Sequence, residues 1–159
     1  MLSVNGEIVK IALGKKGDYS VRAVLDLGLH YGRGRRKASE IASSMNIPRK
    51  FALQILANLA RSGLLTATAG RNGGYELSRA PSRICLLDVV MAAEGEVKLQ
   101  RCVLRGIPCA TSGTCAAHDA WSAALEAMVK QMRRTSIAKM VRLASVSPPH
   151  GSKGSKRRR

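Results

Sequence analysis

The feature that most constrains the fold is a glycine-rich turn between two short strand-like runs, within residues 64–78. The turn contains Gly70, Asn72, Gly73 and Gly74, which are residue types that accept the backbone angles of tight hairpin turns. The flanking runs have the length of short strands. The segment therefore predicts a β-hairpin in a chain whose other regions are patterned as helices.

Three helices are predicted before the hairpin. Apolar residues at helical spacing indicate a helix over residues 18–31, with Asp18 as its N-cap, and further helices over 38–45 and 48–62. A tight break at residues 46–47 separates the last two helices. The order of a short helix, a tight turn, a second helix and a hairpin is that of a winged helix-turn-helix, so the predicted fold class is mainly α with a small β-hairpin. In that fold the second helix lies in the major groove of DNA.

The second half of the chain has a different organisation. A short helix is predicted over residues 86–93, with Leu87, Val90 and Met91 on its buried face, and residues 94–116 have no periodicity. The predicted division of the chain is an N-terminal extension (1–10), a winged helix-turn-helix domain (11–80), a short helix with a cysteine-containing loop (81–116), a long C-terminal dimerisation helix (117–144) and a disordered basic tail (145–159).

The charge of the chain favours a polyanionic partner. Lysine and arginine number 27 against 10 acidic residues, a net charge of +17, and nucleic acid is the most common partner of so basic a protein. Two alternatives are a helical domain with a solvated basic face and an RNA-binding or architectural protein that acts through its basic tail. The predicted contacts to double-stranded DNA are Arg49, Lys50, Gln54, Arg71, Asn72 and Gly73.

A cytoplasmic location is predicted, because no apolar run has the length of a membrane span or the pattern of a signal peptide. Cysteines in that compartment are more often thiols or metal ligands than disulfides. Cys102, Cys109 and Cys115 lie in the irregular loop with His118 near its end, and three soft thiolates there suit an iron–sulfur cluster or zinc. A metal-free redox dithiol is a further alternative. Cys85 is predicted to be a core cysteine.

The helix after this loop carries an apolar stripe formed by Trp121, Leu125, Met128 and Met132. Its heptad-like spacing predicts a helix that pairs with its copy in a homodimer. An intrachain core helix would show the same spacing, but a helix-turn-helix protein usually reads two half-sites, which favours the dimer. The chain is predicted not to be an enzyme. Cys115 and His118 could act as nucleophile and base, but no orienting residue or oxyanion device accompanies them.

Three segments carry a resemblance to a known family. The sequence reads Gly-Asp-Tyr-Ser-Val-Arg-Ala at residues 17–23 and Gly-Arg-Asn-Gly-Gly-Tyr-Glu-Leu at residues 70–77, and its three cysteines lead through His118 into Trp121. Together these segments resemble the Rrf2 family of winged-helix transcription factors, which has IscR-like, NsrR-like and RirA-like members. The resemblance covers residues 11–144.

The resemblance implies a dimeric regulator that binds a 2Fe–2S or 4Fe–4S cluster through the three cysteines. The fourth ligand is a histidine in IscR-like members, here His118, and an aspartate from the partner subunit in NsrR-like members, here Asp18. This sequence departs from the family's pattern at two positions that bear on DNA binding. The hairpin has Ala69 where the family commonly has arginine, and Leu53 replaces a glutamate of IscR-like proteins.

The predicted function is that of a sequence-specific transcriptional regulator, a repressor, whose operator binding is modulated by an iron–sulfur cluster that senses iron, redox state or nitric oxide. No small-molecule substrate is expected. The alternative is a zinc-stabilised or cluster-free winged-helix regulator.

Overall fold

The structure is a computed structural model that describes residues 13–95 and 118–146, together with two N-terminal strands. These strands, β1 (Leu2–Val4) and β2 (Glu7–Val9), pair antiparallel. The elements that follow are α1 (Lys15–Leu29), α2 (Ala38–Ser44), α3 (Arg49–Arg61), β3 (Leu65–Thr68), β4 (Gly74–Leu77), a 3-10 turn (Pro81–Arg83), α4 (Leu86–Glu94), α5 (His118–Arg134) and α6 (Ile137–Val146).

Aliphatic side chains fill the core, as expected for a chain with few aromatic residues. The helical contributions are Ala23, Val24, Leu27, Ile41, Ala42, Ala52, Ile55, Leu56, Leu59, Val89 and Ile137. α6 joins this core at Gly28, where a Cβ atom would lie 2.8 Å from Val141 Cγ2 and 3.0 Å from Ile137 Cγ2. The absence of a side chain at Gly28 therefore permits the close packing of α1 on α6.

The predicted second and third helices are confirmed, with ends shifted by one residue. α3 ends in a Schellman motif, in which the N–H groups of Gly63 and Leu64 donate to the carbonyls of Ala60 and Leu59, both at 3.0 Å. Gly63 has φ +76°, a left-handed conformation that glycine adopts without strain. The local sequence chemistry thus fixes where α3 stops.

The predicted β-hairpin is confirmed. β3 and β4 pair antiparallel, with Leu65 opposite Leu77 at the base and Thr68 opposite Gly74 near the tip. Both leucines are buried in the core, which anchors the hairpin to the helices. We call residues 65–77 the wing.

The beginning of α1 differs from the prediction. The helix starts at Lys15, so Asp18 lies inside its first turn and the assignment of Asp18 as N-cap is wrong. Gly14 occupies the N-cap position and has no side chain to bond the free N–H groups. The carboxylate of Glu94 takes that role, because Oε1 accepts a hydrogen bond from the Gly17 N–H at 2.8 Å.

Helix α4 buries a different face from the predicted one. Leu87 and Val90 are buried as predicted, but Met91 is 40% exposed and Val89 is buried in its place. Cys85 is half-buried at the N-cap of α4 and is not part of the buried core cluster, so the prediction of a core cysteine is wrong.

The segment predicted as one C-terminal helix over residues 117–144 consists of two helices, α5 and α6. α6 continues to Val146, two residues into the segment that was predicted to be a disordered tail. Residues 147–159, which form the rest of that segment, lie outside the described residues.

Candidate nucleic-acid interface and metal site

The turn between α2 and α3 sets the direction of α3. Asn46 has φ +52°, a left-handed conformation that asparagine tolerates better than most residues. The N–H of Ile47 donates to the Ala42 carbonyl at 2.9 Å, and the side chain of Ile47 is buried. The turn is therefore tied to the core, and α3 projects from it in a fixed orientation.

One face of α3 is buried and the other is exposed. The buried residues are Ala52, Ile55, Leu56 and Leu59. Arg49, Lys50 and Gln54, the residues predicted to contact DNA, are all exposed. Within residues 13–95 and 118–146, neither Arg49 nor Lys50 forms an ion pair with a carboxylate. Their charges lie at the N-terminal end of the helix, which is the part of a recognition helix that contacts base edges.

The tip of the wing is compact. Gly73 donates its N–H to the Gly70 carbonyl at 3.0 Å, and a side chain at Gly73 would collide with the Thr68 carbonyl oxygen. Arg71 and Asn72 are exposed at this tip, and Gly73 is half-buried. A tight, glycine-rich tip allows the backbone to approach a surface closely while Arg71 supplies a positive charge.

The loop between α1 and α2 is attached to the wing. Arg36 and Tyr75 exchange two backbone hydrogen bonds, of 2.9 and 2.8 Å. Gly74 makes this contact possible, because a Cβ atom there would lie 2.6 Å from the Arg36 carbonyl oxygen. We call residues 32–37 the basic loop.

A buried carboxylate holds these elements together. Asp26 of α1 is 1% exposed and accepts hydrogen bonds from Arg36 Nε at 3.1 Å, Arg36 Nη2 at 3.2 Å and Ser44 Oγ at 2.6 Å. The bonds join α1, the basic loop and α2, so both oxygens of the buried charge are satisfied. This network was not predicted from the sequence, although an aspartate among the apolar residues of α1 was a signal for it.

The candidate metal ligands are only partly within the described structure. Cys102, Cys109 and Cys115 lie outside the described residues, whereas His118 is the first residue of α5. The residues that the structure describes include no group of three or more histidine, cysteine or acidic side chains that could hold a metal ion. The chemistry of the complete donor set fits an iron–sulfur cluster, because thiolates and an imidazole are ligands that such clusters use.

The other candidate ligand, Asp18, is engaged in an ion pair. Arg22 Nε lies 2.9 Å from Oδ1 of Asp18, and Arg22 Nη2 lies 2.8 Å from Oδ2. Both carboxylate oxygens are therefore occupied by one guanidinium group, and both side chains are substantially exposed. Binding of a metal by Asp18 would have to displace this pair.

Helix α5 is unlike the other long helices. No residue along its 17-residue length is buried. Trp121, Leu125 and Met132 are half-buried, and Met128 is 37% exposed. The apolar stripe predicted from the sequence is thus present on a helix that contacts α4 and that the described parts of the chain cover only in part.

Comparison with known proteins identifies the family. Residues 13–143 match the model of the Rrf2 family, described as iron-dependent transcriptional regulators. The chain belongs to the Rrf2 family. A relative from Azotobacter vinelandii, named as the putative HTH-type transcriptional regulator ORF2, is 36% identical over 110 residues, which are 69% of this chain and 66% of that protein. IscR of Xenorhabdus nematophila is 28% identical over 82% of this chain and 79% of its own length.

The fold has a close counterpart among solved structures. CymR of B. subtilis, described as the global cysteine regulator, superimposes with a TM-score of 0.71 at 21% identity, over 86% of this chain and 98% of that chain. The predicted winged-helix fold is confirmed. The chain is a helix-turn-helix transcriptional regulator, and the prediction that it is not an enzyme is confirmed by its family. Within the described residues, no helix is long and apolar enough to cross a membrane.

Proposed function

We propose that this Rrf2-family protein is a homodimeric repressor that reads its operator through α3 and the wing, and whose operator affinity depends on an iron–sulfur cluster. The observation that carries the DNA-reading part is the division of α3 into a buried apolar face and an exposed face with two cations that no carboxylate of the described residues neutralises. Arg49 and Lys50 contact base edges and phosphates from the first turn of α3. Gln54, one turn later, has an amide that can pair bidentately with adenine.

The wing supplies a second contact to the same duplex. Arg71 and Asn72 at its tip contact a neighbouring phosphate. Because Gly73 has no side chain, the backbone of the tip can approach that phosphate closely. A contact of this kind positions the protein but does not read sequence. The operator is therefore specified by α3 and oriented by the wing.

The homodimer is formed through α5. The stripe of Trp121, Leu125, Met128 and Met132 is heptad-like, and a second copy of the helix would remove it from water. Two copies place two α3 helices on one face of the duplex, as pseudo-palindromic operators require.

Cluster binding is assigned to Cys102, Cys109 and Cys115, with His118 as the fourth ligand. The thiolate and imidazole chemistry supports this assignment, as does the similarity to a relative named IscR. His118 is preferred to Asp18 because it follows the three cysteines directly in the sequence, with two residues between it and Cys115. When bound, the cluster would supply a group whose stability responds to iron, redox state or nitric oxide. This chain's contribution would be the three thiolates and the imidazole that hold the cluster.

A cluster-free regulator is the second candidate function. The observation in its favour is the similarity in fold to CymR, which is described as a cysteine regulator and not as an iron regulator. Anaerobic purification separates the two candidates. A cluster protein absorbs in the visible and contains iron and sulfide, and the absorption disappears when any of the three cysteines is changed to serine. A colourless protein without iron, or with zinc alone, would support the second candidate.

DNA reading is tested by the double substitution R49A/K50A. Operator binding should weaken by about 1–3 kcal/mol for each good base contact that the substitution removes. The control is R133A/R134A, which removes two adjacent exposed arginines from the end of α5. If both variants protect the operator from cleavage as well as the wild type does, α3 is not the reading helix. A reporter gene downstream of the operator tests repression, because deletion of the regulator should raise its expression.

A further inference from the structure

The basic loop contains four cations, and the structure divides them into two kinds. Arg36 points inward and is bonded to the buried carboxylate of Asp26. Arg35 Nε lies 3.1 Å from Glu76 Oε1 on β4, in a pair that ties the loop to the wing. Arg33 and Lys37 are exposed on either side of these two residues. Two of the four cations thus hold the loop in place, and two are directed to solvent.

The acidic groups of this region lie beside the two cations that hold the loop in place. Asp26 and Glu76 are paired with Arg36 and Arg35, and Glu40 Oε2 lies 3.8 Å from Arg36 Nη1. Among residues 13–95 and 118–146, no carboxylate pairs with the side chains of the two remaining cations, Arg33 and Lys37. The loop therefore carries a net positive charge, with four cations against three neighbouring carboxylates, and its two cations without an ion pair among the described residues are exposed.

The loop and the wing share an open groove. Lys37 and Ala38 line one side of it, and the other side is lined by the wing from Ala67 to Tyr75, including Arg71. The backbone bridge between Arg36 and Tyr75 fixes the two sides relative to each other. Two cations from separate segments thus face one groove whose walls are held by hydrogen bonds, and the oxygen atoms of a phosphate are suitable partners for them.

We propose that Arg33 and Lys37 of the basic loop extend the wing into a phosphate-binding surface, in which Lys37 and Arg71 flank a groove for the backbone of double-stranded DNA. The inference rests on the proposed DNA-binding function and deepens it, because it assigns a contact outside α3 and the wing. The wing itself has one cation, Arg71, whereas the loop adds two on a rigid support. Contacts to phosphates carry no sequence information, so this surface adds affinity equally for operator and non-operator duplexes.

The test is the salt dependence of DNA binding by the full-length protein. The variant R33Q/K37Q removes two exposed charges and leaves the backbone bonds of Lys37, the Arg35–Glu76 pair and the Arg36–Asp26 pair in place. The control R83Q/K139Q removes one arginine and one lysine that are exposed on the 3-10 turn and on α6. Binding is measured by fluorescence anisotropy between about 50 and 200 mM salt on the operator and on a scrambled duplex.

The slope of log K against log salt should become shallower by about 0.9 for each phosphate that the protein no longer neutralises, and so by about 2 in R33Q/K37Q. The control should keep nearly the wild-type slope, with a small change that is the same on both duplexes. The ratio of operator affinity to scrambled-duplex affinity should not change in either variant. An unchanged slope in R33Q/K37Q would overturn the proposal, and so would a slope change equal to that of the control.

A changed affinity ratio would also overturn the proposal, because it would mean that the loop reads bases. Failure of the proposed function gives a different result. In that case the wild type would bind operator and scrambled duplex equally, but the slope difference between R33Q/K37Q and the control would still be measurable on the scrambled duplex. Circular dichroism of both variants excludes loss of folding as the cause.

Discussion

Helices α3 and α5 are both amphipathic, but the described chain fully buries the apolar face of α3 and only partly covers that of α5. α3 buries four residues against α1, α2 and α4, and Leu56 is 0% exposed. α5 is four residues longer and buries none. The same kind of sequence pattern thus has two outcomes, and the difference lies in how much partner surface the described chain provides: α1, α2 and α4 all contact α3, whereas α5 contacts α4 and keeps part of its apolar stripe exposed.

The comparison separates two sources of stability. A helix that is covered within one chain stabilises the monomer, and its contribution does not depend on protein concentration. A helix that is covered only by a second copy stabilises the dimer, and its contribution disappears on dilution. Matched leucine-to-alanine substitutions in the two helices distinguish these cases.

The largest effect on the free energy of unfolding is expected for Leu56→Ala. Removal of a fully buried leucine leaves a cavity in the core and should lower the free energy of unfolding by about 2–5 kcal/mol. The midpoint of urea unfolding should fall by the same amount at every protein concentration. Leu53→Ala is the control on the same helix, since Leu53 is 58% exposed and its replacement should change stability by at most about 0.5 kcal/mol. Equal changes in the two variants would contradict the burial of this face.

The next largest effect is expected for Leu125→Ala in α5, and the quantity affected is the dissociation constant of the dimer. Full burial of a leucine side chain contributes about 1.5–3 kcal/mol. Each Leu125 is already half-buried in its own chain and the dimer contains two copies, so the two half contributions together should raise the dissociation constant by about ten- to a hundredfold. Sedimentation velocity over a dilution series measures it. Leu53→Ala provides the matched control here too, because Leu53 of α3 is 58% exposed and lies outside the predicted dimerisation segment.

The distinction between the two helices would be wrong if Leu125→Ala destabilised the protein in the same way as Leu56→Ala. A drop in the unfolding midpoint that is independent of concentration, with an unchanged dimer constant, would mean that the α5 stripe packs within its own chain. The intrachain core helix, left open by the spacing alone, would then be correct.

A smaller effect is expected where α4 meets α1. Glu94→Ala removes the carboxylate that accepts the Gly17 N–H, which substitutes for the N-cap side chain that Gly14 lacks. Removal of an N-cap typically costs about 1 kcal/mol, and Glu94→Gln should cost less because an acceptor oxygen remains. Thermal unfolding of both variants shows whether Glu94→Gln is less destabilising than Glu94→Ala. Glu126→Ala, which removes an exposed carboxylate from α5, is the control, and a similar destabilisation in that variant would rule out the capping role.

The parts of the structure that could be predicted from sequence are those whose causes are local. Gly63 ends α3 and Asn46 breaks the chain before it, since both positions need a left-handed backbone that few residues accept. The hairpin follows from its glycines. In each case the deciding residues lie within a few positions of the feature they control.

The parts that could not be predicted depend on residues distant in sequence. The N-terminus of α1 is capped by Glu94, 77 residues away from Gly17, so Asp18 was the best local candidate although it is not the cap. Which face of α4 is buried depends on the helices packed against it, so its own periodicity did not exclude Met91. The partners of Arg36 likewise become clear only when the basic loop folds onto α1 and the wing.

The smallest effect on stability is expected for Asp18→Asn. This variant removes a surface ion pair of α1, whereas Glu94→Ala removes the group that caps the same helix. The Asp18–Arg22 pair joins neighbouring turns of one helix, and its two side chains are 42% and 43% exposed. Exposed pairs of this kind contribute about 0–1 kcal/mol and are weakened by salt, so the unfolding free energy should change by less than in Glu94→Ala. The same variant also tests the proposed fourth ligand. If His118 binds the cluster, Asp18→Asn should leave the visible absorption and the lifetime of the cluster unchanged, whereas His118→Ala should shift or destabilise it. If instead Asp18→Asn bleached the cluster at unchanged unfolding free energy, Asp18 would be the ligand, and the pair with Arg22 would be a contact that cluster binding breaks.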